Sequence, residues 1–159
     1  MKVNVEIVCL ELPEHLRDAK KLLQEYAETR PGDPALTNFP MEIAQLPGEY
    51  AAPKGCFLLA YLEDQPIGCV ALHEWGEGIT EMKRLYVQPQ TRGLGVGRKL
   101  VEEIINQAKT IGYSRIYLDT IPVMEKAQTL YRAIGFTEIA PYRYNPNKGT
   151  LFFELKLKE

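Results

Sequence analysis

EMKRLYVQPQTRGLGVGR, residues 81–98, decides how this chain is read, because a strand-like run passes through a proline-containing turn into a glycine-rich helix start flanked by arginines. Gly93, Gly95 and Gly97 let the backbone approach an anion closely. The amides of a first helical turn have no intrahelical acceptor and sit at the positive end of the helix dipole, so they suit a phosphate. Arg92 and Arg98 add charge at the rim of this cradle. A nucleotide P-loop would continue with Lys and then Ser or Thr, whereas Gly97 is followed by Arg98, Lys99 and Leu100. A dinucleotide fingerprint would need its third glycine where Arg98 stands.

The segments downstream have clear periodicities. Leu100, Val101, Ile104, Ile105, Ala108 and Ile111 form an apolar stripe that predicts a helix stopped by Gly112. SRIYLDT, residues 114–120, reads as a strand, and a second helix carries Ala127, Leu130, Tyr131 and Ile134 before Gly135 ends it. Two stretches of this run, Arg92–Gly97 as R-G-L-G-V-G and residues 127–136 as AQTLYRAIGF, resemble in that order the two signatures of the GNAT acyltransferase superfamily, R/Q-x-x-G-x-G/A and AxxLYxxxGF.

The remainder accords with that resemblance. VNVEIVCL, residues 3–10, alternates as an opening strand, and Pro13 stands at a helix start ahead of Leu16, Ala19, Leu22, Leu23 and Tyr26. Residues 29–55 are loop-rich and proline-rich, with a short helical stretch around Met41–Leu46. CFLLAYLE and PIGCVALHEW flank a polar turn at Asp64 and Gln65 and read as a hairpin, and Gly76 to Gly78 turn the chain into the cradle strand ITEMKRLYV. After Phe136 two more strands are expected around a loop of Pro, Asn and Gly. The predicted architecture is an α/β (α+β) domain over residues 1–159: a GNAT-like mixed, mainly antiparallel sheet of six or seven twisted strands with helices on both faces.

Composition narrows the class further. The chain has 159 residues, 45% of them hydrophobic and 25% charged, which suits a single buried core. A net charge of −2 offers no general attraction to nucleic acid. Cys9, Cys56 and Cys69 lie singly in apolar runs, as free thiols of a reducing compartment do, and His15 and His73 are too far apart in sequence for a zinc motif. No apolar run suits a signal peptide or a membrane span, so a cytoplasmic protein with no membrane or nucleic-acid partner and no metal is expected.

The resemblance implies a set of site residues. It assigns acetyl-CoA as cofactor, its pyrophosphate on Arg92, Gly93, Leu94, Gly95, Val96, Gly97 and Arg98 and its pantetheine along Leu85, Tyr86 and Val87 like an added strand. An amide near Leu85 would polarise the thioester carbonyl. Met124 stands where many relatives place an asparagine that holds the cofactor, which brings Asp119 and Thr120 forward as substitutes. Glu81 is the expected general base, its carboxyl pushed upward by desolvation, and Tyr131 the acid that protonates the departing thiolate.

A small-molecule amine would enter opposite the cofactor, among Tyr26, Phe39, Glu49, Tyr50, Tyr142, Tyr144 and Asn145, with Arg84 or Arg143 available to pair with an acceptor carboxylate. The implied activity is N-acetyl transfer by direct attack in a ternary complex. The alternatives are a catalytically silent acyl-CoA-binding or regulatory module and a binder of another phosphate ligand. An exposed edge strand could join two copies as a homodimer.

Overall fold

A computed structural model describes residues 4–157. Seven strands form one mixed sheet: β1 (Val5–Cys9), β2 (Cys56–Leu62), β3 (Gln65–Gly76), β4 (Ile79–Val87), β5 (Arg115–Thr120), β6 (Thr137–Ile139) and β7 (Leu151–Lys156), in spatial order β1-β2-β3-β4-β5-β7-β6. All pairings are antiparallel except β4 with β5. Among the described residues four α-helices complete the fold, α1 (Pro13–Glu28), α2 (Phe39–Ala44), α3 (Val96–Ile111) and α4 (Glu125–Ile134). The expected opening strand is present from Val5, and Val3 lies outside the described residues.

Both sheet faces are covered, which is why β2 and β3 are apolar almost throughout. Phe57, Leu59, Cys69 and Ala71 point to a core shared with Ala19, Leu22, Leu23 and Tyr26 of α1. Their alternating neighbours Leu58, Ala60, Val70 and Leu72 meet Leu100, Val101, Ile104 and Ala108 of α3 on the opposite face. Gly68 lets the strands and α3 come together here, because a β-carbon on it would lie 2.8 Å from the Tyr86 carbonyl and 3.1 Å from Leu100.

The β2–β3 turn differs by one residue from the sequence expectation. Its two central residues are Glu63 and Asp64, with φ of 49° and 67°, and Gln65 already opens β3. Two left-handed residues in succession give the type I′ backbone that matches strand twist, here built without glycine.

Two irregularities in β4 shape the site. Cys69 faces Tyr86 while Ala71 faces Lys83, so β4 carries one extra residue at a bulge. Arg84, at φ 64°, occupies it. Strict alternation would send Arg84 to the side of Met82, and the bulge instead turns it toward α1 and α2 with Tyr86. The second irregularity is a parting: β4 pairs with β5 only at Ile79–Arg115, Thr80–Ile116 and Glu81–Tyr117, and both strands run on without each other.

Candidate active site

The parted strands open a V whose two mouths differ chemically. On one side lies the glycine-rich turn. Gln88 leaves β4, a single 3-10 turn spans Pro89–Thr91, and Gly93 and Gly95 take φ of 92° and 75°, Gly95 serving as N-cap of α3. No side chain caps this helix, and among the described residues no acceptor meets the amides of Gly93 through Arg98. A β-carbon at either Gly93 or Gly95 would point into open space. Unpaired amides converging at a helix start fit a diphosphate. Arg98 is half exposed, 3.9 Å from Glu102, and Leu94 is an exposed apolar residue beside it. Val96 is buried under the turn.

On the other side is a cavity of about 150 Å³ between the C-terminal end of α1, the middle of β4, the end of β5 and the loop before β7. At the roughly 30 Å³ that each water occupies in the liquid, this is room for about five waters, the scale of a small metabolite. Tyr26, Arg30, Asp33, Lys83, Arg84, Asp119, Thr120, Arg143, Tyr144 and Asn145 are among its walls.

Glu81 sits beside this cavity, fully buried, and its carboxylate is saturated with donors. His73 Nε2 lies 2.9 Å from Oε1, the Tyr142 hydroxyl donates to Oε2 at 2.6 Å, and Arg143 Nη1 reaches both oxygens at 3.2 and 3.1 Å. Tyr142 is itself packed by Tyr117, Trp75 and Phe152, with ring centroids 4.7, 5.1 and 5.3 Å away. Burial alone would raise the Glu81 pKa, but the His73 and Tyr142 hydrogen bonds, with the charges of Lys83 and Arg143, lower it to about 2. The sequence expectation of an upward shift is therefore corrected: desolvation is the largest single effect, but the hydrogen bonds and nearby cations together outweigh it. The carboxylate is held by His73, Tyr142 and Arg143 rather than by its strand neighbours Lys83 and Arg84.

Residues 17–136 match the model of the acetyltransferase (GNAT) family. The chain belongs to the GNAT acetyltransferases. An uncharacterized N-acetyltransferase of Schizosaccharomyces pombe is 39% identical to this GNAT chain over 158 residues, covering 98% of it and 97% of the relative. An IAA acetyltransferase of Azospirillum brasilense is 35% identical over 146 residues, covering 89% and 93%. A GNAT-family acetyltransferase of Staphylococcus aureus superposes with a TM-score of 0.82 at 21% identity, covering 98% of this chain and 100% of that one. An acetyltransferase of Salmonella typhimurium, solved with its cofactor acetyl-CoA, superposes at 0.77 with 18% identity, covering 98% and 95%. At these identities the structural likeness speaks for the fold alone.

Within this GNAT fold the residues singled out from sequence separate into three groups. Leu85 and Val87 bury their side chains against the α3 core, and Tyr86 turns to α1, where its hydroxyl donates to Glu25 at 3.0 Å. Past Glu81 their backbone has no β5 partner. Tyr26, Arg84, Tyr144 and Asn145 come together around the cavity, and Thr120, expected at the cofactor, lines it as well. Tyr50 does not join them: it is 2% exposed, and its hydroxyl donates to Glu42 at 3.0 Å. Met124 is the N-cap of α4 and offers no capping side chain.

Tyr131 is buried on α4 against Phe136 and Phe153. Burial raises its pKa, and among the charges that act on it are Arg30 and Asp119, both cavity residues. Sequence reasoning missed Lys83, Arg30 and Asp33 in the cavity and His73 beside Glu81. The His73 partnership had a signal in the β3–β4 hairpin, but a second bulge between Glu74 and Gly76 shifts the register by one and sets His73 opposite Glu81.

Proposed function

We propose that this chain is an acetyl-CoA-dependent N-acetyltransferase that moves an acetyl group to a primary amine of a small molecule by direct attack of the amine in a ternary complex. The observation that carries this reading is the parting of β4 from β5 after Glu81–Tyr117, which leaves a seam of β4 backbone unpaired on that side, running from a small polar cavity toward the turn of free amides. Acetyl-CoA, when bound, supplies the acetyl group as a thioester. The amides of Gly93 to Arg98 would hold its diphosphate, and the free edge of Leu85 to Val87 would align its pantetheine as a strand.

The chain's own groups then handle protons. An amine of lysine-like pKa, about 10.4, arrives protonated at neutral pH and must lose that proton to attack. Asp119 lines the cavity and accepts a single hydrogen bond among the described residues, from Asn145 at 3.1 Å, so it is open to receive the proton directly or through water. Glu81, held at about 2 by its donors, acts by fixing Arg143 at the cavity wall, with Tyr142 bonded to the same carboxylate. Tyr131 would give its hydroxyl proton to the departing thiolate as the tetrahedral intermediate collapses and recover one from solvent.

The test is thiol release from acetyl-CoA with a panel of primary amines, alongside calorimetry with CoA. Turnover that falls in Tyr131→Phe and Asp119→Asn while CoA binding persists supports the proposal. Tight CoA binding with no turnover across the panel would point instead to a silent acyl-CoA-binding module.

A further inference from the structure

Four cationic side chains line the cavity, and three are already engaged within the protein. Arg84 makes a bidentate pair with Glu42, at 2.9 and 2.8 Å. Arg143 is held by Glu81. Arg30 donates to the Tyr26 hydroxyl and lies 3.6 Å from Asp33. Lys83 is different: among the described residues its ammonium has neither a salt-bridge nor a hydrogen-bond partner. It is half-buried beside Arg84 and Arg143, and burial with these two cations outweighs the more distant pull of Glu81 and Glu42, so no group compensates its charge by direct contact.

The cavity's anions show the same division. Asp33 takes the Ala35 amide and the Asn147 side chain on Oδ1, both at 2.8 Å, while its buried Oδ2 faces the Arg30 Nε at 3.6 Å as an ion pair without a hydrogen bond. Asp119 accepts only from Asn145, through Oδ2, and its other oxygen has no partner among the described residues. One cation and one carboxylate oxygen without a direct partner among the described residues thus line a single small polar cavity. We infer that the acceptor is a small amino acid or other amino-carboxylate, its carboxylate on the Lys83 ammonium and its amine on Asp119. This rests on the N-acetyltransferase reading and narrows it: both acceptor charges find opposite charges, and Arg84, which the sequence offered as the carboxylate partner, is already occupied by Glu42.

The experiment uses acceptor pairs in which one member carries a carboxylate and the other none: glycine and methylamine, alanine and ethylamine, β-alanine and ethylamine, 4-aminobutyrate and propylamine. Binding of each to the full chain with saturating CoA is measured by calorimetry, and turnover with acetyl-CoA by thiol release. At least one carboxylate-bearing member should bind about tenfold or more tightly than its partner, the range of one charge-assisted hydrogen bond. Lys83→Met should collapse that preference by weakening the carboxylate-bearing member, and Lys83→Arg should restore part of it. Equal binding within every pair, or a preference that survives Lys83→Met, overturns the inference. Thiol release with plain amines and no carboxylate preference would sink this inference while sparing acetyl transfer. Lys83-dependent binding without thiol release would do the reverse.

Discussion

Arg84 and Glu42, 42 residues apart, meet in two parallel hydrogen bonds of 2.9 and 2.8 Å, and the guanidinium also lies over the Phe39 ring, 4.7 Å from its centroid. The pair ties the loop-rich segment before β2 to the bulge of β4. Arg84→Ala leaves Glu42 largely buried with only Tyr50 as donor, and a stranded charge of this kind costs about 3 kcal/mol. Arg84→Gly should be less damaging than Arg84→Ala by about 1 kcal/mol, because φ 64° suits glycine. Urea denaturation of the two variants checks both the size and the order.

Acid should expose the stabilisation stored at Glu81. Its folded pKa of about 2 lies below the ordinary value of about 4.3, so the stabilisation is present in full above the unfolded pKa and is lost as pH falls through the folded one. A shift of this size corresponds to about 3 kcal/mol. The stability difference between the natural chain and Glu81→Gln, followed by denaturation from pH 6 to pH 2, should be flat above about pH 5 and shrink below it. A difference independent of pH would contradict the hydrogen-bonded anion.

Gly95→Val tests the cradle. The left-handed backbone at φ 75° makes any β-branched residue costly, by about 1–2 kcal/mol, and its side chain would enter the space above the free amides. Gly112→Val, at φ 113° at the far end of α3 and also facing open space, serves as the matched control. Both should lower the melting temperature, and only the first should abolish CoA binding by calorimetry.

Tyr131→Phe removes one hydroxyl from a packed helix face and leaves the rings of Phe136 and Phe153 their partner. If it protonates the departing thiolate, kcat falls about 10²-fold, the lower end for general acid catalysis, with CoA affinity unchanged. Asp119→Asn should reduce kcat/KM for every amine while still accepting the Asn145 hydrogen bond. Steady-state kinetics on the same panel separates the two effects.

Much of this was legible because single residues carried it. The helix from Val96 to Ile111 and its stop at Gly112, and the end of the next helix at Gly135, follow from apolar stripes closed by residues that adopt positive φ. The strand ITEMKRLYV was read with both its ends. What escaped was everything that depended on register. The bulge at Arg84 changes which face that residue serves, and the one at Trp75 decides that His73 meets Glu81, yet neither leaves a mark in period-two alternation. The charge at Glu81 was misjudged for a related reason: Tyr142 and Arg143 reach it from 61 and 62 residues away, so burial was visible and its compensation was not.

The short β4–β5 seam gives the molecule two blades, β1-β2-β3-β4 and β5-β7-β6, hinged at three residue pairs. A ligand laid along the gap would act as a mechanical clasp between them. Amide exchange on the free edges of both blades should then slow together when coenzyme is added, and rigidity would arrive with the first reactant rather than with the fold.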